Sequence, residues 1–317
     1  MITKEGPFDT PRKLNNSRRA ARTCLRVAKT LFAGIGYHSR PAFLVIGCQK
    51  CGTTALHSYL DDHPDILSSK TKEIGYFHRD ACYLARGSKW YHSHFPLPCF
   101  VPRNALTFEA TPEYIYYPNV AERIHDYDPN LKLIVLLRDP VSRAYSAWNM
   151  YRKWYNNGLI TLRRRWTRID EPVRKAFADY FSVDRFHTFS ESIDLEIQAM
   201  AGRTGPLEPS VVRRGLYAEQ LERYLDLFPN HQLLVLDSAD LRQRLPETLT
   251  RVVEFLGLRE HDWQKLDNKR SASNANYREL KSQYESPISV ECRRRLEGFF
   301  RPHNKRLYDL LGRDFSW

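Results

Sequence analysis

The stretch LVIGCQKCGTTALHSYL, residues 44–60, decides how the rest of the chain reads. An apolar run ends at Gly47, a second glycine follows at Gly52, and a helical pattern starts with Thr53, Thr54 and Ala55. A strand that enters a glycine-bounded turn and then a helix makes an anion cradle. Backbone N–H groups converge there, and the helix start adds its partial positive charge. The spacing is G-x-x-x-x-G, but the lysine that a triphosphate-binding loop places after the second glycine is replaced by Thr53. Lys50 stands before that glycine instead, between Cys48 and Cys51. The pattern suits a phosphate site, a C-x-x-C metal or redox pair, or an altered triphosphate site.

A structural zinc site needs a second ligand pair of similar spacing, and the sequence has none. A thioredoxin-like pair also sits where a strand meets a helix, but it requires neither Lys50 nor two glycines. The cysteines therefore read as bystanders in an anion-binding loop. A triphosphate enzyme also wants an acidic magnesium ligand at the end of a neighbouring strand. Asp139 ends the run LIVLLRD, but Arg138 precedes it and Pro140 follows, so this strand end reads as a place for an anion.

Outward from the loop, strand and helix patterns alternate. FLVIG (43–47), ALTFEA (105–110), LKLIVLLRDP (131–140) and HQLLVLD (231–237) read as strands, mostly apolar as buried parallel strands are. TTALHSYLDDHP, ended by His63–Pro64, NVAERIHDYDP (119–129), VSRAYSAWNMYRKWY and LPETLTRVVEFLGL (245–258) read as helices, and RRRLEGFFRPHNKRLYDLLG (293–312) as helices broken near Pro302. Strands alternating with helices predict a P-loop-like three-layer α/β/α domain with a central parallel sheet. One domain is expected over 41–317, with a helical insertion or cap at 152–215, after a basic leader at 1–40 that is partly helical or disordered.

The chain has 317 residues and a formal charge of +12, which favours anionic partners without choosing among them. Arg12, Lys13, Arg18, Arg19, Arg22, Arg26, Lys29 and Arg40 cluster with no acid between them, and a second basic block runs from Arg152 to Lys175. No apolar run reaches the ~18 residues of a membrane span, so no integral membrane segment is expected. No recognised nucleic-acid motif is present, and nucleic acid is not an expected partner. Six scattered cysteines give no disulfide framework and suit a reducing compartment, with a Cys82–Cys99 bridge as the alternative in a secreted protein. A cytoplasmic protein is expected, with peripheral membrane contact through the basic N-terminus left open.

With these residues in hand, the chain resembles sulfotransferases that use 3′-phosphoadenosine 5′-phosphosulfate (PAPS), most of all the heparan-sulfate sulfotransferase-like branch and its bacterial relatives. IGCQKCGTTAL looks like their 5′-phosphosulfate loop, which assigns Gln49, Lys50, Cys51, Gly52, Thr53, Thr54 and Ala55 to the donor. LLRDPVSRAYSAW (136–148) resembles their 3′-phosphate motif, R-[DN]-P-x-x-R-x-x-S, and assigns Arg138 and Ser146 to that phosphate. KTKEIGYFHRD (70–80) resembles the segment carrying their catalytic glutamate, which maps to Glu73. EATPEYIYYP (109–118) resembles their T-P-x-Y stretch, with Ala110 where several members have lysine. RGLYAEQLERYL (214–225) is similar to the group as well and brings Tyr217 to the donor side; DNKRSASNANY (267–277) stands where a basic loop covers the donor, with Lys269 and Arg270.

The resemblance implies in-line transfer of a sulfuryl group from PAPS to a hydroxyl or amine, without a metal. Lys50 would stabilise charge on the bridging oxygen and Glu73 would take the acceptor proton, helped by partial burial beside an aromatic run. The bland reading of Glu73 is a surface pair with Lys72, and His78 and His57 are the alternative bases. A saccharide, an anionic one included, or a small metabolite is the expected acceptor. A P-loop kinase or NTPase and a non-enzymatic polyanion-binding protein are the competing readings.

Overall fold

The computed structural model describes residues 27–156, 175, 180, 185–202, 208–266 and 287–317. Five parallel strands form its centre: β1 (Phe43–Gly47), β2 (Ile66–Ser68), β3 (Leu106–Ala110), β4 (Lys132–Leu137) and β5 (Leu233–Asp237), in the order β2-β3-β1-β4-β5. Every residue of β1 is buried, and so is all of β4 beyond Lys132, which is why these two read as near-continuous apolar runs. Phe43 and Phe108 stack across β1 and β3 with centroids 4.8 Å apart. Four of the strands coincide with apolar runs in the sequence. The fifth, β2, was not expected, because a three-residue strand behind Pro64 carries too short a pattern to register.

Helices complete the expected α/β/α layers. Residues 27–34 form α1. Next come α2 (Thr53–Leu60), the short α3 (Asp80–Tyr83) and α4 (Gly87–His92), α5 (Val120–Tyr127) and α6 (Pro140–Asn156). The chain continues through α7 (Phe189–Ala201), α8 (Tyr217–Leu225), α9 (Ser238–Gln243), α10 (Leu245–Leu256) and α11 (Val290–Leu311). The sheet, α2, α8 and α10 share one core. A second core joins Trp148 and Tyr151 of α6, Phe189 and Ile193 of α7, and Leu296 and Phe300 of α11. Within 152–215, the described residues are thus helical where α6 ends and at α7; the rest of the expected insertion lies partly outside the described residues.

Local chemistry sets the ends. Thr188 and Glu191 close a capping box on α7, and Ser289 accepts from the Cys292 N–H at the start of α11. The expected break near Pro302 does not occur: α11 runs unbroken through it. Proline forgoes one helical hydrogen bond, the one to the carbonyl of Gly298. Buried Phe300 and Leu307 hold both halves against the body, which outweighs that loss.

Candidate active site

The strand order locates the site. The connection leaving β1 runs toward β2 on one side of the sheet, and the connection leaving β4 runs toward β5 on the other. Ligands of open α/β sheets bind where adjacent strands part company in this way, beyond their carboxyl ends. The two loops there are 48–52 after β1 and 138–139 after β4, which are the two motifs the sequence singled out.

The first loop is held from both sides. Its Cys48 N–H still bonds Leu136 of β4 at 2.8 Å, and Ile115 N–H bonds Ile46 at 2.9 Å. Gly47 lies so close to Ile115 that an added Cβ would meet its side chain at 2.5 Å. Gly52 has φ 101, a left-handed conformation that glycine adopts at little cost, and it turns the chain into α2. No side chain among the described residues caps that helix start, so its N–H groups face the cradle. Thr53 is buried there and Thr54 exposed. Lys50 also has positive φ, 67, and burial, followed by the Arg138 charge, brings its ammonium down to about 8. An ammonium depressed in this way gains from an anion placed beside it.

The second loop reaches the first directly. Arg138 Nη1 donates to the Lys50 carbonyl at 3.1 Å. The buried Tyr217 hydroxyl donates to the Arg138 carbonyl at 2.8 Å and lies 3.8 Å from Cys51 Sγ. Lys50, Cys51, Arg138 and Tyr217 are therefore one assembly. Asp139 bonds the N–H groups of Val141 and Ser142 at 3.1 Å each and accepts the Ser142 hydroxyl at 2.5 Å, so it serves as the cap of α6. Ser146 is buried on α6.

Sequence reasoning gave no role to Arg143, although it stands in the same R-x-x-S motif. Its side chain is fully buried, with Nη2 donating to the Val211 carbonyl. Its Nε and Nη1 have no partner among the described residues. This guanidinium lies close enough to act on Lys50, Cys48, Cys51 and Tyr217. Burial works against ionising Cys51, but the hydrogen bond with Cys48 and the Arg143 and Arg138 charges outweigh it and hold the thiol below its ordinary value. Burial drives Cys48 well above its ordinary value. Both thiols are free, as are Cys82, which is buried, and Cys99, which is exposed, so the alternative Cys82–Cys99 bridge is not formed.

On the acceptor side, Glu73 N–H bonds the carbonyl of Ala110 at the end of β3, at 3.1 Å. Its charge is felt at Lys50. The expected partial burial is absent: the Glu73 side chain is 46% exposed and pairs with Lys72 at 2.7 Å. The aromatic run turns inward at Tyr76 and Phe77 instead, just after a turn with positive φ at Glu73, 59, and Gly75, 67. The alternative bases are poorly suited. Burial, with Arg79 and Arg214 nearby, holds His78 well below its ordinary value, and its ring stacks on Tyr117 at 5.2 Å. Burial also lowers His57, whose ring tilts against Phe108.

Two further carboxyls went unread in the sequence, since nothing local marks their burial. Glu109 accepts from Tyr114, Thr111 and Tyr91 at 2.5, 2.8 and 3.0 Å, which fixes β3 to the aromatic cluster. Glu113 lies one turn beyond β3, and burial, then the charge of Glu73, lifts it to about 7. Lys269 and Arg270 lie outside the described residues. Among the described residues, no group of three or more His, Cys, Asp or Glu side chains is placed to hold a metal. No described helix is long and apolar enough to cross a membrane.

Residues 40–304 match the sulfotransferase domain family. The chain is 27% identical over 350 residues to the membrane-associated sulfotransferase kil1 of Dictyostelium discoideum, covering 95% of this chain and 70% of that protein. It is 30% identical over 305 residues to heparan sulfate glucosamine 3-O-sulfotransferase 6 of Homo sapiens, covering 90% and 76%. The crystal structure of a sulfotransferase from Alicyclobacillus acidocaldarius superposes with a TM-score of 0.60 at 26% identity, covering 88% of this chain and 98% of that one. A match over most of the chain, on a parallel sheet whose switch point gathers Lys50, Arg138 and Tyr217, makes this protein an enzyme of the sulfotransferase family.

Proposed function

We propose that the enzyme moves a sulfuryl group from PAPS to a hydroxyl or amine of a saccharide or small-metabolite acceptor. The observation that carries this reading is the Arg138–Lys50 contact of 3.1 Å, which ties a 3′-phosphate motif to a 5′-phosphosulfate loop. A donor with two anionic ends suits that pairing better than a triphosphate does, because the acid expected to hold magnesium, Asp139, is committed to capping α6.

The residues present fit such a donor, which supplies the activated sulfuryl group. The uncapped start of α2 and the loop N–H groups would take its 5′ end. Arg138 and Ser146 would take the 3′-phosphate, and Arg143, whose Nε and Nη1 have no partner among the described residues, would add positive charge near Lys50 and Cys51. Protonated Lys50 would neutralise charge on the leaving oxygen in the transition state. Glu73 would accept the acceptor proton, its exposed position leaving it open to a hydroxyl or amine approaching from solvent. Lys269 and Arg270 would close over the donor. The saccharide reading draws on the heparan sulfate glucosamine relative named above.

The test is a screen of saccharide and small-molecule acceptors with sulfur-labelled PAPS in metal-free buffer. Label transferred to an acceptor by the wild type and by Lys72→Ala, but not by Lys50→Ala, is the expected outcome. Absence of PAPS affinity would refute the reading.

A further inference from the structure

Four strands of the sheet lie in the order β3-β1-β4-β5, and their carboxyl ends carry different chemistry. Glu73 bonds the end of β3 through its N–H, the Lys50 loop follows β1, and Arg138 follows β4. β5 ends in Asp237, and an aromatic cluster lies against it.

The residues beyond α11 build that cluster. Arg313 reaches α9: its guanidinium donates to Asp240 at 3.1 Å and lies 4.5 Å from the centre of the Phe315 ring. The Trp317 backbone N–H donates to the Tyr308 hydroxyl at 3.1 Å. The Trp317 indole N–H, which can only donate, bonds the Asp237 carboxylate. Phe315 and Trp317 have ring centroids 4.6 Å apart at 32°, and Tyr217 meets the indole at 5.8 Å and 63°. Phe315 and Tyr217 are buried, whereas Trp317 is only partly so. A partly open indole is thus fixed by a backbone hydrogen bond, a side-chain hydrogen bond and neighbouring rings. Tyr217 joins it to the motif loops, because its hydroxyl bonds the Arg138 carbonyl at 2.8 Å and lies 3.8 Å from Cys51 Sγ. Trp317 is one ring away from both motifs.

The PAPS reading is the ground for the next step. That donor carries both anionic groups on one ribose, and its purine projects from the same ring. With the 5′ end in the β1 loop and the 3′-phosphate beside Arg138, the base turns either toward β3 or toward β5. Glu73 and the acceptor take the β3 side. The β5 side offers the indole, and nucleobases stack on aromatic rings of this kind. A ring already held in place loses little freedom when a ligand arrives.

We infer that Trp317, held by Tyr217, Phe315 and Asp237, is the wall on which the purine of the donor stacks. It contacts the part of the donor that neither phosphate motif recognises, and it favours a nucleotide over a base-free sugar bisphosphate.

The experiment is calorimetric titration of the full chain with 3′-phosphoadenosine 5′-phosphate and, separately, with 1-deoxyribose 3,5-bisphosphate, which lacks the base. Trp317→Ala should weaken the nucleotide by about tenfold or more, the range of one lost stacking contact, and leave the base-free ligand unaffected. Trp317→Phe keeps a stacking ring and should retain most of the nucleotide affinity. A second readout covers a Trp317→Ala protein that folds poorly: the nucleotide should quench part of the wild-type tryptophan fluorescence, and Trp317→Phe should lack that part. Wild-type nucleotide affinity in Trp317→Ala, or a full quench in Trp317→Phe, would overturn the inference and leave the donor reading standing. Equal loss of both ligands by Trp317→Ala at wild-type melting temperature would overturn it as well, by showing that the ring acts through the phosphate loops. A wild type with no affinity for the nucleotide would refute the donor reading and the inference with it.

Discussion

Arg138, at the end of β4, donates a hydrogen bond of 3.1 Å to the backbone carbonyl of Lys50, in the loop after β1. The bond crosses the crevice at the switch point and makes the position of one motif depend on the other. Arg138→Ala therefore removes the proposed phosphate partner and a support of the loop at once. Affinity for 3′-phosphoadenosine 5′-phosphate should fall about 10- to 100-fold, the effect of losing one charge-assisted contact with its support. Calorimetric titration reads this directly; unchanged affinity would show that the second motif is misassigned.

Lys50 gives a pH signature. Its ammonium titrates at about 8 in the folded protein, against an ordinary value of 10.5. The charged form is present below about 8, so kcat/KM for the donor should fall tenfold per pH unit above that point, and Lys50→Arg should move the decline to higher pH. The sign for stability is the reverse. Between about 8 and 10.5 the unfolded chain binds more protons than the folded one, so the unliganded protein gains stability as pH rises through that window. Lys50→Met should accordingly stabilise the unliganded protein at neutral pH, by up to about 3 kcal/mol. Denaturant melts at two pH values check this, and a destabilised Lys50→Met would contradict it.

Glu73 and Lys72 separate charge pairing from catalysis. Their pair is exposed, and such pairs contribute about 0–1 kcal/mol, so Lys72→Ala should alter stability little. Glu73→Gln should keep donor affinity and lower turnover by about 10²- to 10⁴-fold, the range for removal of a general base. Wild-type turnover by Glu73→Gln, measured under donor saturation, would remove it from the mechanism.

The pair Arg214–Glu208 tests the architecture behind the site. Both side chains are buried, and the Arg214 guanidinium lies 4.1 Å from the centre of the Tyr116 ring. Removing one partner leaves an uncompensated buried charge, so Arg214→Met should cost about 3–5 kcal/mol. Arg214→Met with Glu208→Gln should recover part of the loss, because neither buried charge then remains. Equal destabilisation of the single and double variants in denaturant melts would rule out charge as the cause.

The parts of the fold and site that were legible in the sequence are those written in consecutive residues. Gly47 to Thr54 and Arg138 to Ser146 each sit on one strand end and the helix after it, so spacing alone carries their geometry. β1 and β4 could be read because both faces are buried, which leaves an unbroken apolar run. The strand β2 could not, being three residues long, and Pro302 misled because tertiary packing by Phe300 and Leu307 overrides a local propensity. The burial of Arg143 and Glu113 is set by elements remote in sequence, so their environments emerge only in three dimensions. Glu73 shows the converse: it neighbours an aromatic run in sequence yet is exposed, in a turn with left-handed backbone at both Glu73 and Gly75.

The most direct test is a single-turnover assay with sulfur-labelled PAPS, an accepted saccharide or metabolite, and no divalent metal. Wild-type protein should transfer the label, Lys50→Ala should transfer none, and Glu73→Gln should bind the donor without transferring. Magnesium-dependent ATP hydrolysis by the wild type, with no affinity for PAPS, would contradict the assignment of the Gly47–Gly52 loop to a sulfuryl donor.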